Sequence, residues 1–330
     1  MRLILEFLFI LSIASSFGAT LVNELKSKNV SDNQKISENE FSSRFVTEVG
    51  EQSVKFYVYN RENLETPDFV ESNVESIIRT IYNPLKPTVF SIHGWLSNKD
   101  SDENKIIVPA KLEQEDCNVI VVDYSLVLSE QSTEDIASYV GAKVADFILL
   151  LYTYFDVKIS NIHVVGFSMG AQTSGFVGQF VYKSTGEKIA KITGLDPAGG
   201  MYNSLPEDER LSADDAHFVE VIHTNGGIVG YYAPCGHADY YPNGGRIQPG
   251  CSVIDLGCSH LRAFELVAEM WSAKNEYVVL KCASTSQMSL DQCSWVNVNM
   301  GKNSERPGIY YLQTNNATPF GKGSYVRTFL

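Results

Sequence analysis

Residues 161–178 read NIHVVGFSMGAQTSGFVG, and this stretch decides the fold. Its first part, 161–165, is a short, β-branched apolar run of the kind that forms a strand buried on both faces. The run leads into Gly166-Phe167-Ser168-Met169-Gly170, and small residues follow at Ala171, Ser174, Gly175 and Gly178 as a helix opens at 169. Strand, tight turn and helix are the setting in which G-x-S-x-G makes a nucleophile elbow. Side chains two positions to either side of the serine would collide in such a turn, and Gly166 and Gly170 remove that collision. The small residues let the helix pack close to the strand, and its N-terminus aims positive partial charge at the serine. The alternative reading is an ordinary strand–turn–helix with a surface serine.

The same rhythm extends in both directions. Residues 54–59 alternate like an early strand, and 88–92 and 118–123 are short buried runs. A long helical stretch spans 132–155, with Ser132 and Asp135 as a capping box. Residues 189–195 and 216–222 read as further strands, and a helix with apolar Leu261, Phe264, Leu266, Val267, Met270 and Trp271 follows His260. Strands alternating with helices imply an α/β fold, a mostly parallel sheet covered on both faces.

The N-terminus gives the compartment. Arg2, an apolar run from Leu3 to Ile13 and small residues up to Ala19 have the layout of a signal peptide over 1–18, cleaved after Ser16 or Gly18. That run is too short for a comfortable membrane span, and no later stretch reads as long enough. Residues 19–44 are polar, a pro-segment or mobile arm, and ordered sequence is expected from 45 to 330 without an internal boundary. The expected protein is secreted and monomeric, its six cysteines free to form three disulfides. No C-x-x-C pair occurs, which argues against zinc or thioredoxin-like chemistry. Asn29 and Asn316 open glycosylation sequons. The net charge of −13 argues against nucleic acid and against adsorption to anionic lipid by charge alone.

A serine nucleophile needs a base, and the base an acid, which in this fold follow the serine in chain order. Asp196 stands directly after an apolar strand, in Gly194-Leu195-Asp196-Pro197-Ala198, where Pro197 ends the sheet. Asp214, Asp215, Asp239 and Asp255 are rivals without that placement. For the base, His260 follows Cys258 at the start of a helix, and His223 at the end of a strand is the strongest rival. His217 reads as part of a strand, and His237 precedes what reads as a polar, Gly-rich turn. Two backbone N–H groups must meet the developing oxyanion. Met169 after the serine supplies one, and Trp95, in the turn His93-Gly94-Trp95 after the strand at 88–92, suits the other.

His93-Gly94-Trp95, Gly166-x-Ser168-x-Gly170, Ile192 to Ala198, Gly236 to Gly245 and Cys258-Ser259-His260 occur in the order seen in the pancreatic lipase family, which the chain resembles over 45–330. The resemblance implies an α/β-hydrolase fold with Ser168, Asp196 and His260 as the triad and Trp95 and Met169 as the oxyanion hole. Within the family the chain looks most like insect secreted lipases and venom-type phospholipases A1. The lid, between Cys251 and Cys258, has only Ser252, Val253, Ile254, Asp255, Leu256 and Gly257. The segment from Thr224 to Cys235 is short as well, and the chain stops where the family's C-terminal β-sandwich would begin, which implies no colipase. The elbow departs from most relatives in carrying Phe167 and Met169 at the variable positions.

The resemblance also implies disulfides Cys251–Cys258 and Cys282–Cys293, leaving Cys117–Cys235 by exclusion. No cofactor is required for the chemistry. A structural calcium is implied at Glu207, Arg210, Ser212, Asp214 and Asp215, a stretch that also reads as a solvated acidic loop. The expected activity is hydrolysis of lipid esters at an interface, foremost as a phospholipase A1. A triacylglycerol lipase or galactolipase is the alternative within the class, and a non-catalytic lipid-binding or storage protein of the same fold lies outside it. Val253, Ile254, Leu256, Tyr231 and Tyr232 are the apolar residues expected to meet lipid.

Overall fold

A computed structural model describes residues 54–127, 133–252, 254–272, 276–301 and 305–323. The leader, the polar arm with Asn29, the cap at Ser132 and the lid residue Val253 lie outside them. Among the described residues eleven strands form one sheet. In chain order they are β1 (Lys55–Tyr59), β2 (Asp68–Val70), β3 (Thr88–Ile92), β4 (Asn118–Asp123), β5 (Ile162–Phe167), β6 (Lys191–Leu195), β7 (Phe218–Ile222), β8 (Ala238–Pro242), β9 (Val278–Cys282), β10 (Ser294–Asn299) and β11 (Gly308–Leu312). Across the sheet the order is β10-β9-β11-β8-β7-β6-β5-β3-β4-β1-β2. From β4 to β11 neighbours are parallel, while β1, β2, β9 and β10 add antiparallel flanks.

The helices are α1 (Val74–Ile78), α2 (Asp102–Gln114), α3 (Thr133–Phe155), α4 (Met169–Thr185), α5 (Leu256–Trp271) and α6 (Thr285–Ser289). Alternate strand residues face opposite sides. Val89, Val119 and Val165 join Ile107, Val108 and Leu112 of α2 and Phe264 and Val267 of α5 in one core. Phe90 and Phe56 face the other way and meet Phe147 of α3, which packs on α4. Both faces are thus covered, which is why β3, β4 and β7 are buried along their whole length. By length and composition α3 could cross a membrane, contrary to the expectation that no later stretch could. Its Val140, Val144, Phe147, Ile148 and Leu151 are instead buried in the core.

Two further expectations change. Residues 238–242, read as part of a polar turn, form the fully buried strand β8, and the turn begins only at Asn243. Disulfides Cys251–Cys258 and Cys282–Cys293 form, but Cys117 and Cys235 are separate buried thiols. The reason is topological. Cys117 precedes β4 and Cys235 precedes β8, and four strands lie between these two. That is roughly 24 Å at strand spacing, against the roughly 7 Å that a disulfide spans. Burial pushes the Cys117 thiol up to about 11 and that of Cys235 well above its ordinary value, so both stay protonated.

Candidate active site

Ser168 sits between β5 and α4 with φ 56 and ψ −119, a strained conformation for a residue with a side chain. Its backbone is pinned to the exit of β6: its N–H donates to Leu195 O at 2.9 Å, and its carbonyl accepts from Ala198 N–H at 3.1 Å. The flanking glycines are needed as expected. A Cβ at Gly166 would lie 2.1 Å from Gly170 O, and one at Gly170 would lie 2.1 Å from Ile92 O. Of the helix's small residues, Ser174 faces the strand, whereas Gly175 and Gly178 admit the segment around Leu211 and Asp215.

Asp196, the first residue after β6, has φ 39 and is fully buried. Its Oδ1 accepts from the N–H groups of Thr224 and Asn225 at 2.8 and 2.9 Å. Its Oδ2 accepts from His260 Nδ1 at 2.5 Å. Glycine is required beside it, because a Cβ at Gly230 would lie 2.6 Å from both carboxylate oxygens. His260 opens the second turn of α5. Asp255 caps that helix by accepting from Gly257 and Cys258 N–H, and the Cys251–Cys258 bridge anchors it. Phe167, next to the serine, sets its ring 4.6 Å from the imidazole and edge-on to Phe264 one turn further along α5. The imidazole therefore lies beside the elbow with Nδ1 committed to Asp196. No hydrogen bond engages Nε2 among the described residues. The sequence marked Phe167 only as a departure at the elbow's variable position and gave no sign of its packing on His260, nor of the Thr224 and Asn225 amides that hold Asp196.

The turn after β3 touches the same site, with a Cβ at Gly94 falling 3.4 Å from that of Ser168. Tyr124 N–H donates to His93 Nε2 at 3.2 Å, so His93 carries its proton on Nδ1 and donates it to Gly94 O at 2.8 Å. Tyr124 OH donates to His93 O, and Gly94 N–H to Glu103 Oε1 at 2.9 Å. Burial raises the Glu103 carboxyl above its ordinary value, with the Gly94 hydrogen bond pulling it back. Because a peptide is planar and trans, fixing the Gly94 carbonyl fixes the Trp95 N–H in the opposite direction. The N–H groups of Trp95 and Met169 serve no hydrogen bond among the described residues.

The rival histidines are engaged elsewhere. His217 is exposed just before β7 rather than in it, and His237 Nδ1 accepts from Val219 N–H at 3.0 Å. His223 is buried, with Nδ1 on Tyr231 O at 2.8 Å and Nε2 on Asp239 Oδ1 at 2.9 Å. With Cys235 these two form the one group of potential metal ligands among the described residues. Asp239 Oδ1 already accepts from Cys235 and Gly236 N–H as well, leaving little room for a cation.

In the acidic loop, Asp215 is buried and shares reciprocal hydrogen bonds with Ser212, while its other oxygen accepts from Gln179. Burial pushes its carboxyl up to about 7. Glu207 and Asp214 are exposed beside Arg210 and Lys188. The loop as folded offers one buried carboxylate with both oxygens engaged, a donor set that does not fit calcium without rearrangement. In the lid, Ser252, Ile254, Asp255 and Gly257 are exposed, and α5 begins inside it at Leu256. Tyr231, expected at the lipid, is buried under the Arg210 guanidinium. Asn316 is exposed.

The family model described as Lipase matches residues 20–320. Phospholipase A1 of Polybia paulista is 32% identical over 82% of this chain and 89% of its own length. Lipoprotein lipase of Papio anubis is 31% identical over 78% of this chain and 60% of its own. Pancreatic triacylglycerol lipase of Myocastor coypus is 28% identical over 83% of this chain and 67% of its own. Among solved structures, mouse alpha/beta hydrolase domain-containing protein 10 matches 44% of this chain and 71% of its own at 17% identity. Its TM-score of 0.31 is too loose a match to inform the site. On the family model and these identities, the chain belongs to the pancreatic lipase family.

Proposed function

We propose that the protein is a secreted serine esterase of lipids, foremost a phospholipase A1. In this reading His260 Nε2 takes the proton from Ser168 Oγ as the oxygen attacks the sn-1 ester carbonyl. Asp196 holds the imidazole in the tautomer that allows this and stabilises its positive charge. The Trp95 and Met169 N–H groups receive the oxyanion. Collapse of the intermediate breaks the ester C–O bond, and His260 returns the proton to the departing lysophospholipid. Water, deprotonated by His260, then releases the fatty acid from Ser168.

The observation that carries the choice of substrate is the lid. Cys251 and Cys258 are bridged at a sequence separation of 7, and the helix bearing His260 starts within the loop. So short a turn leaves room for a polar headgroup and offers little apolar surface for an oil droplet. At a net charge of −13, adsorption to lipid relies on exposed apolar side chains such as Trp95 and Ile254, 59% and 87% exposed. Release of sn-1 fatty acid from phosphatidylcholine in preference to triolein is the expected result. Triolein turnover with phosphatidylcholine untouched would replace this reading with that of a neutral lipase.

A further inference from the structure

We infer that Arg246 is a headgroup-binding residue that holds the phosphodiester of a glycerophospholipid while its sn-1 ester lies at Ser168; this rests on the reading above. Four observations converge on it. First, the backbone of Arg246 is tied to the candidate acid through a single residue. Asn225 donates its N–H to Asp196 and its Nδ2 to Arg246 O, each at 2.9 Å. Second, the guanidinium is preorganised: it lies 4.1 Å over the Tyr232 ring. Gly227, at φ +75, makes room for it, since a Cβ there would lie 3.1 Å from Arg246 Nη1.

Third, no ion pair engages this guanidinium among the described residues, whereas Arg79, Arg210 and Arg262 each pair with a glutamate. Arg61 and Arg306 also have no ion pair among the described residues, but Arg61 is spent on the carbonyls of Leu112 and Glu113, whereas the exposed Arg246 guanidinium is held by its ring contact. Fourth, exposed Ile228 and Ile247 lie on the same two loops. Apolar side chains around a planar cation match the border between acyl chains and headgroups, where the apolar groups enter the lipid and the charge stays at phosphate level. A guanidinium offers several N–H donors in one plane and suits a phosphate diester better than an ammonium does. The phosphate and the sn-1 ester share one glycerol, so a cation on the loop that backs Asp196 can sort substrates by headgroup without touching the reacting atoms.

The test compares the wild type with R246Q on dioleoylphosphatidylcholine and dioleoylglycerol in the same detergent micelles, with a short-chain p-nitrophenyl ester as a third substrate. The expected result is a roughly tenfold loss of kcat/KM on phosphatidylcholine, carried by KM. Dioleoylglycerol and the soluble ester should change less than twofold, and R246K should recover part of the loss. Equal phosphatidylcholine turnover by R246Q and wild type overturns the inference alone. So does a parallel loss on all three substrates, which would mark a structural role. A wild type inactive on phosphatidylcholine but active on dioleoylglycerol overturns the phospholipase reading and the inference with it. Added inorganic phosphate should leave wild-type phosphatidylcholine turnover unchanged; strong inhibition that R246Q abolishes would assign a free-phosphate site instead.

Discussion

Among the described residues, two buried histidine–aspartate pairs meet within hydrogen-bond distance, and they differ at one nitrogen. In His260–Asp196 the carboxylate holds Nδ1 at 2.5 Å, the ring is 8% exposed, and Nε2 is left without a hydrogen bond among the described residues. In His223–Asp239 the ring is fully buried, Nδ1 meets the Tyr231 carbonyl, and Nε2 faces the carboxylate at 2.9 Å. A carbonyl only accepts, so Nδ1 of His223 must donate, and with Nε2 set against the carboxylate neither nitrogen is open to a substrate proton. A nearby carboxylate therefore does not distinguish a base from a strut; an uncommitted nitrogen beside a nucleophile does. The two pairs are also linked. The residues after His223, Thr224 and Asn225, supply the amides that hold Asp196, and Tyr231 N–H donates to Pro197 O at 2.7 Å. The buried pair fastens the loop that orients the candidate acid.

Substitutions can break this contrast. Ser168→Ala should lower kcat by about 10⁶-fold and Asp196→Asn by about 10⁴-fold, with melting temperatures near wild type. Steady-state kinetics beside thermal melts check both, and near-wild-type turnover by either variant would contradict the assignment. Gly230→Ala pushes a methyl into the Asp196 carboxylate and should cost about a hundredfold in kcat, since a misplacement of about 1 Å is enough. His223→Ala should behave in the opposite way, destabilising by about 3–5 kcal/mol while the folded fraction keeps activity within about tenfold. Urea titration with activity normalised to folded protein measures this. A variant of full stability and no activity would make His223 the base and reverse the comparison. The smallest effect concerns the thiols: Cys117→Ser and Cys235→Ser should each leave kcat unchanged. Alkylation of the unreduced, denatured wild type should modify these two cysteines, and protection of both would restore the Cys117–Cys235 bridge.

The elbow was legible because its meaning is local. A buried run, two glycines and a small-residue helix occupy 161–178, and sterics alone dictate Gly166 and Gly170. Asp196 was legible for a similar reason, since Pro197 ends the strand before it. What the sequence hid depends on contacts between distant segments. Nothing local shows that the nitrogens of His223 are taken by Tyr231 and Asp239, or that Phe167 packs on His260. Strand β8 was hidden by the Pro242 and glycines that close it, and the cysteine pairing failed because elimination ignores where the strands lie in the sheet.

The most direct test of the central claim, that Ser168 is a nucleophile activated by His260, is labelling of the folded protein with a fluorophosphonate, mapped by peptide mass spectrometry. The account predicts a single adduct on Ser168 that disappears in Ser168→Ala and is strongly reduced in His260→Ala but persists in His223→Ala. No adduct on Ser168 in folded protein, or one that survives His260→Ala at full rate, would contradict it.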